Sequence, residues 1–234
     1  LLSAILTTAD LDTDAPYSGP RLCDPEKCGI CEKLSSEGLL KGIDRDSDAL
    51  EAAAKKLEAY PCRRQLVKSN YSDIKSVLAG LGVPGLDGAL LDLGVSSFQL
   101  DNPERGFTYR EDAELDMRMD KEAGLTAKDV VNSYSKEDLA DIIRRYGEEQ
   151  FANNIARHIT EARKDHVIET TGELKSIIER AIPQAVRKGQ GGFAKKTFQA
   201  LRIEVNSELS VLSAALQEMI DLLNPGGRDR KSVV

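Results

Sequence analysis

The sequence predicts an α/β fold with a doubly wound parallel sheet that is interrupted by a helical insertion. Two observations lead to this prediction. Short apolar runs alternate with amphipathic segments across residues 30–94, and the links between them are short, as in β-α-β units. The alternation stops after Asn102, and residues 103–200 carry mainly helical periodicity. The chain has 234 residues, of which 41% are hydrophobic, enough for one large domain or two small ones.

Residues 39–94 are predicted to form three parallel strands joined by two helices. The run 39–44 is apolar and ends in an acid, which suits a buried parallel strand, and the runs 65–68 and 86–94 are the next two. Asp46 or Ser47 can cap the helix after the first strand. The residues that share a helical face are Leu50, Ala53, Ala54 and Leu57 in this helix, and Ile74, Val77 and Leu78 in the next.

The insertion is predicted to contain a charged loop over residues 103–125, followed by three helices. Ser135 and Asp138 resemble a capping box at the start of the first helix, and Pro183 ends the third. The predicted inward residues are Leu139, Ile142, Ile143, Tyr146, Phe151, Ile155, Ile159, Leu174, Ile177, Ile178 and Ala181. One more amphipathic helix follows from Asn206, with Leu209, Leu212, Leu216, Met219, Ile220 and Leu223 on one face.

The two ends of the chain continue neither pattern. Residues 1–29 show no helical or strand periodicity. The turn at 224–227 should lead into another strand, but the sequence stops seven residues later. We therefore expect an irregular start and a sheet that lacks its last strands.

Composition excludes several classes of protein. A net charge of −7 argues against a surface that is basic throughout, although it says nothing about local patches. No apolar run approaches the roughly 18 residues of a membrane span, and the first residues do not resemble a signal peptide. Four cysteines are too few for a disulfide scaffold. We expect a cytoplasmic protein without a membrane partner.

The cysteine spacing has two interpretations. Cys23, Cys28, Cys31 and the distant Cys62 reproduce the plant-type [2Fe–2S] ligand pattern, which makes an electron carrier a remote alternative function. The other interpretation is chance spacing with one buried thiol. The glycine- and serine-rich loop of a ferredoxin is missing from this segment, and no other metal-ligand spacing occurs, so we expect no metal.

Three residues follow or end the predicted strands, where an open α/β sheet binds its ligands. Asp44 and Asp92 end strands, and Tyr71 comes shortly after the middle one. A carboxylate at this place commonly accepts bonds from ribose hydroxyls, and an aromatic ring can stack on a purine. Each residue alone is more often a helix cap or a core residue, but together they favour an adenosine-type cofactor. Neither a Gly-x-Gly-x-x-Gly loop nor a Walker loop occurs, which argues against NAD and ATP.

One window of the chain is purely basic. Residues 180–203 contain six basic residues and no acid, with Phe193 and Phe198 between the charges. Phosphate contact with aromatic support for a base is one interpretation, and a solvated loop is the other. The pattern alone does not distinguish between them.

Four strings occur in order: LLKGIDRD (39–46), DGALLDLGVSSFQLDNPERGFTYREDAELDMRMD (87–120), YGEEQFANNIARHI (146–159) and KTFQALRIEVNSEL (196–209). Together they closely resemble the MraW (RsmH) family of ribosomal small-subunit methyltransferases, from about residue 30 to residue 228. The resemblance implies a class I, Rossmann-like methyltransferase domain with an inserted helical cap domain. It also implies methyl transfer from S-adenosyl-L-methionine to the exocyclic N4 of a cytidine in the decoding region of 16S rRNA.

The resemblance also implies roles for individual residues and segments. Asp44, Tyr71, Asp92 and Gln99 fall on positions that hold the cofactor, and Asp92 is the expected catalytic residue. The expected RNA contacts are Lys195, Lys196, Arg202 and Arg105. The partner is small-subunit rRNA or the 30S subunit, and a homodimer is left open. The implied segments are 1–29 (atypical), 30–102 and 201–228 (methyltransferase domain), 103–200 (cap and substrate recognition) and 229–234 (non-native tail).

The chain departs from the family pattern at both ends. The family's first strand and its GGH loop should lie near residues 15–28, where the residues do not match, and the FHSLEDR motif is not found after PGGR. We therefore expect a chain truncated at both ends with an incomplete sheet. A catalytically impaired fragment that binds RNA or the ribosome is the alternative function.

Overall fold

The computed structural model describes residues 4–7, 39–58, 63–187 and 192–233. The chain divides into two compact units. The sheet unit comprises Leu1–Gly94 and Ser210–Val234, and the helical unit comprises Val95–Leu209. The helical unit is thus inserted into the sheet unit, and its bounds extend beyond 103–200 on both sides.

Strands and helices follow one another along the chain. In order, they are β1 (Ala4–Thr7), β2 (Leu39–Asp44), α1 (Ser47–Leu57), β3 (Arg63–Lys68), a 3-10 turn (Tyr71–Asp73), α2 (Ile74–Gly80), β4 (Leu86–Leu93), α3 (Ser97–Asp101), a second 3-10 turn (Pro103–Arg105), α4 (Ala127–Ser133), α5 (Lys136–Gly147), α6 (Ala152–Ala162), α7 (Thr171–Ala181), α8 (Gln184–Arg187), α9 (Ala194–Val205), α10 (Glu208–Leu222) and β5 (Leu223–Val233). The three strands predicted between 39 and 94 are therefore present.

The sheet has the strand order β3-β2-β1-β4-β5 and is mixed, not wholly parallel as predicted. Strands β2 and β3 pair in parallel, as do β4 and β5, but β1 is antiparallel to both of its neighbours. The prediction of an irregular start is wrong for Ala4–Thr7. Four residues are too few to show a period, and a slot between two strands accepts any short apolar segment that completes the hydrogen-bond ladder.

The predicted loss of the strand after the turn at 224–227 is also wrong. Strand β5 runs through the turn sequence and pairs in parallel with β4, so that residues 229–233 lie opposite residues 89–93. A register shift between Leu86 and Gly88 accommodates the turn residues. A polar, charged strand is stable at this position because it forms one edge of the sheet, where only one side must be paired.

The core of the sheet unit lies between the sheet and helices α2 and α10. Its buried members include Ile43, Ile74, Leu78, Leu91 and Met219. The predicted face of α2 is confirmed. The predicted face of α1 is only half-buried, and two members of the predicted α10 face, Leu209 and Ile220, are exposed, because that helix buries a narrower stripe than its apolar residues could cover.

The helical unit has its own core, built from α4–α7 and α9. The predicted inward residues of α5, α6 and α7 are buried, apart from half-buried Tyr146 and Phe151. Helices α4 and α9 were not predicted. Helix α9 falls in the basic window and buries seven of its twelve residues, so this part of the window is a packed helix and not a solvated loop.

Candidate functional site

The two strand-end aspartates lie at the same edge of the sheet. Asp44 is the last residue of β2 and Asp92 the next to last of β4. The residues just before them, Ile43 and Leu91, both pair with Ala4 of β1. One strand therefore separates the two aspartates, and their backbones are about 10 Å apart.

The Asp44 carboxylate is buried and held by the turn that follows β2. Its Oδ1 accepts the backbone N–H of Asp46 at 2.8 Å, and the Asp44 carbonyl accepts the backbone N–H of Ser69 at 3.0 Å. The helix cap is a different residue, because the Asp46 side chain accepts the backbone N–H of Asp48 at 3.0 Å. The turn thus fixes the Asp44 carboxyl at the strand end without using it as the cap of α1.

Asp92 is half-buried and electrostatically coupled to Asp44. Burial raises the pKa of the Asp92 carboxyl, and the negative charge of Asp44 raises that pKa further. The charge of Asp44 therefore disfavours ionisation of Asp92 at this edge of the sheet. Such a pair attracts cations and hydrogen-bond donors, and Asp92 takes up a proton more readily than an ordinary aspartate.

Tyr71 is 7% exposed and belongs to the core of the sheet unit. The 3-10 turn that contains it begins after Asn70, whose Oδ1 accepts the backbone N–H of Ser72 at 3.3 Å. The ring thus fills a core position beyond the end of β3. This is the ordinary structural role that the sequence left open, and it does not test the cofactor role.

Gln99 lies in the helical unit and forms the start of α3. Its Oε1 accepts the backbone N–H of Ser96 at 3.0 Å, and its own backbone N–H donates to Ser96 Oγ at 3.2 Å. This is a capping box, and the Ser-x-x-Gln spacing was a readable signal for it. The side-chain carbonyl of Gln99 therefore shapes the segment that follows β4.

Arg105, one of the residues expected to contact RNA, lies inside the helical unit, and its RNA role stays a prediction. Arg105 is 5% exposed, and its Nη2 donates to the carbonyls of Arg118 at 3.0 Å and Met119 at 3.1 Å. The guanidinium carbon lies 5.9 Å from the centre of the Phe107 ring. These contacts give the Arg105 guanidinium a structural role inside the unit.

A network of hydrogen bonds, called the Arg105 network below, joins the backbone at Arg105, Met117 and Met119 to the side chain of Asn206. The backbone N–H of Met117 donates to the Arg105 carbonyl at 3.1 Å. Buried Asn206 joins two backbone positions of this network. Its Oδ1 accepts the backbone N–H of Met119 at 2.8 Å, and its Nδ2 donates to the Met117 carbonyl at 2.8 Å. Gly106 has a φ of +71°, and a Cβ there would lie 2.6 Å from the Glu114 carbonyl oxygen. The sequence did not indicate Asn206, whose partners lie far away in the chain.

The other three residues expected to contact RNA differ in exposure and in the partners of their charged groups. Lys195 is exposed at the start of α9, and Lys196, also exposed, donates from Nζ to the Glu148 carbonyl at 2.9 Å. Arg202 instead forms a two-bond ion pair with Glu208, at 2.7 and 3.0 Å. Its charge is therefore largely neutralised.

Phe198, expected to support a base, is 4% exposed and packs edge-on against Tyr109 at 4.9 Å. The aromatic support predicted for RNA is in this case part of the core. Phe193 is half-buried against the same core.

The four cysteines lie outside the described residues, so the iron–sulfur interpretation is not addressed by the structure. Within the described residues, no group of three or more His, Cys, Asp and Glu side chains is placed to hold a metal ion. Also within those residues, no helix is both long enough and apolar enough to cross a bilayer.

Comparisons with known proteins agree on one family. The sequence model of the MraW methylase family matches residues 28–230. Ribosomal RNA small subunit methyltransferase H 2 of Agathobacter rectalis is 59% identical over 200 residues, which cover 85% of this chain and 64% of that protein. Ribosomal RNA small subunit methyltransferase H of Lachnospira eligens is 52% identical over 199 residues, covering 85% of this chain and 63% of that protein.

A third relative matches more of the chain. Ribosomal RNA small subunit methyltransferase H of Lactobacillus delbrueckii subsp. bulgaricus is 47% identical over 237 residues, covering 97% of this chain and 75% of that protein. The chain thus spans slightly less than two thirds of the Agathobacter and Lachnospira proteins.

Proposed function

The chain belongs to the MraW methylase family, and on that premise we propose that it transfers a methyl group from S-adenosyl-L-methionine to the exocyclic N4 of a cytidine in the decoding region of 16S rRNA. The observation that carries the proposal is the coupled pair Asp44 and Asp92 at one edge of the sheet. The names of the relatives, which are small-subunit rRNA methyltransferases, supply the substrate class.

The residues of the sheet unit fit the proposed cofactor in charge and in hydrogen-bonding capacity. Bound S-adenosyl-L-methionine would supply a methyl group made electrophilic by the sulfonium charge. Asp44 would accept the ribose hydroxyls from the end of β2, and the two carboxylates would favour a cation at this edge. Tyr71 would contact the adenine, and Gln99 stays a proposed contact by its place in the motif.

Asp92 is the proposed catalytic residue. The N4 nitrogen of cytosine is a weak nucleophile because its lone pair is delocalised into the ring. The Asp92 carboxylate would accept an N–H bond from that amino group, which orients the nitrogen and stabilises the positive charge that develops on it. A raised pKa also makes Asp92 a better acceptor for the proton that N4 must lose.

The helical unit is the proposed site of RNA contact, and the cytoplasm the proposed location. Lys195 and Lys196 present positive charge at the start of α9, where no acid lies between residues 180 and 203. Phosphate contacts of this kind position an RNA without reading its sequence. The target base must in addition leave its stack before its amino group can reach a carboxylate at the sheet edge.

A second candidate function, an RNA- or ribosome-binding protein with impaired catalysis, is favoured by the direction of β1. Because β1 is antiparallel, its last residue, Thr7, pairs with Gly88 at the opposite end of β4 from Asp92. The chain therefore leaves β1 at the edge away from the carboxylates. In a wholly parallel sheet it would leave at their edge and could add backbone N–H groups to the cofactor site.

The test combines calorimetry with S-adenosyl-L-methionine and methyl transfer to purified small subunits. Asp92→Ala should abolish transfer, whereas Asp221→Asn, at an exposed aspartate of α10, should leave it unchanged. Unchanged methylation by Asp92→Ala would refute the catalytic role. RNA binding by the wild-type chain without cofactor binding would establish the second candidate instead.

A further inference from the structure

A cleft of about 720 Å³ lies in the helical unit between α5 and α6. Its walls include Lys136, Asp141 and Arg144 from α5, and Asn153, Asn154 and Arg157 from α6. None of these residues belongs to the basic window or to the strand-end group. Apart from Ala140, the residues that line the cleft carry charged or amide groups, and its cations differ in how far they are neutralised.

Arg144 carries the surplus charge of this cleft. It is exposed, and its Nη2 donates to Asn153 Oδ1 at 2.8 Å. Within the described part of the chain, no carboxylate accepts a bond from it. The next residue, Arg145, is different, because it donates to Asp141 at 2.9 Å and so neutralises one of the two acids of the cleft wall. A neutral amide thus orients Arg144 and leaves its full charge.

Arg157 lies on the α6 side of the cleft, and its charge is already paired. Its Nη2 donates to Asn154 Oδ1 at 2.8 Å, and its Nη1 donates to both carboxylate oxygens of Glu161 at 3.0 Å. Asn154 is itself anchored, since its Nδ2 donates to the Ala181 carbonyl at the end of α7. Two consecutive asparagines on α6 therefore hold one arginine each.

We propose that this cleft binds a phosphodiester group of the substrate RNA, with Arg144 as the contact. The inference rests on the proposed function, which supplies the RNA. A planar guanidinium held by an amide is pre-organised for the two-pronged contact that phosphate oxygens offer. The second acid of the cleft, Glu137, is paired with Lys136 at 3.2 Å, so it repels a phosphate less than a lone carboxylate would.

The test measures binding of the full chain to a 16S rRNA fragment between 50 and 200 mM salt, and it compares Arg144→Ala with the control variant Lys128→Ala. Arg144→Ala should weaken binding roughly 3- to 10-fold and reduce the salt slope by about one, because one phosphate contact is lost. Lys128→Ala should change neither quantity by a comparable amount, because Lys128 is paired with Glu169 at 2.9 Å and neither residue lines the cleft. Arg144→Lys should keep the slope and lose part of the affinity, since the charge stays but the two-pronged geometry does not.

Several outcomes would overturn the inference. One is an equal effect of the two alanine variants on RNA binding, and another is no binding of RNA by the wild-type chain. A third is that Arg144→Ala weakens the binding of polyglutamate but leaves the binding of RNA unchanged. Binding of S-adenosyl-L-methionine should be unchanged in Arg144→Ala. If the wild-type chain binds RNA through Arg144 but neither binds the cofactor nor methylates, the proposed function fails while the cleft stands.

Discussion

Replacing Asn206 with alanine should destabilise the helical unit by about 2–6 kcal/mol. Asn206 is 4% exposed and bonds the backbone N–H of Met119 and the carbonyl of Met117, each at 2.8 Å. Truncation deprives both buried backbone groups of this partner, and each such loss costs roughly 1–3 kcal/mol. The control is Gln199→Ala, because exposed Gln199 makes a single bond to the Tyr146 carbonyl at 3.1 Å and should cost about 0.5 kcal/mol or less.

The measurement is urea unfolding followed by far-UV circular dichroism, since the chain has no tryptophan to report by fluorescence. Hydrogen exchange should also show that the Met119 amide loses protection in Asn206→Ala but not in Gln199→Ala. A loss of stability below 1 kcal/mol, or equal losses in the two variants, would refute the claim that Asn206 stabilises the Arg105 network.

Two further predictions concern Gly106 in the Arg105 network and Asp92 at the edge of the sheet. Gly106→Ala should cost about 2–4 kcal/mol in the same unfolding assay, because φ is +71° and the new Cβ would meet the Glu114 carbonyl; a loss under 1 kcal/mol would contradict this. Asp92→Asn should stabilise the sheet unit at pH 7 while abolishing methyl transfer. Burial and the charge of Asp44 raise the pKa of Asp92 in the folded state above its value in the unfolded state. The ionised carboxylate therefore destabilises the fold at pH values above the folded-state pKa. This destabilisation disappears as the pH falls below the unfolded-state pKa. Thermal unfolding from pH 3 to pH 8 checks this, and a gain that grows toward low pH would contradict it.

Local periodicity located most elements correctly. Strand β2 has the predicted bounds, and α5–α7 bury nearly all of the residues predicted to face inward. These features depend on spacing within one segment, which the sequence displays directly. Helix α9 was missed because its basic residues and the glycines before it suggest a loop, while its buried face becomes visible only against its neighbours.

The partners of individual side chains could not be predicted where they lie far away in the chain or in another element. Arg105 and Arg202 both suggested RNA contact, since arginine is the usual phosphate ligand. The fold instead gives Arg105 two backbone carbonyls and gives Arg202 the carboxylate of Glu208. Residue type indicates which groups a side chain can bind, but not which of them lies next to it in the folded protein.

The order of residues alone was enough to establish the α/β alternation, the helical insertion, the aspartates that end two strands, and the family. These are properties of short segments and of their succession. Folding in three dimensions was needed to establish that β1 enters the sheet antiparallel and that β5 pairs with β4. It was also needed to show that Asp44 raises the pKa of Asp92, and that an amide orients Arg144 whereas a carboxylate pairs with Arg202. The difference arises because strand pairing, burial and ion pairing join groups that are distant in the chain. Their energies depend on three-dimensional packing, which local spacing does not contain.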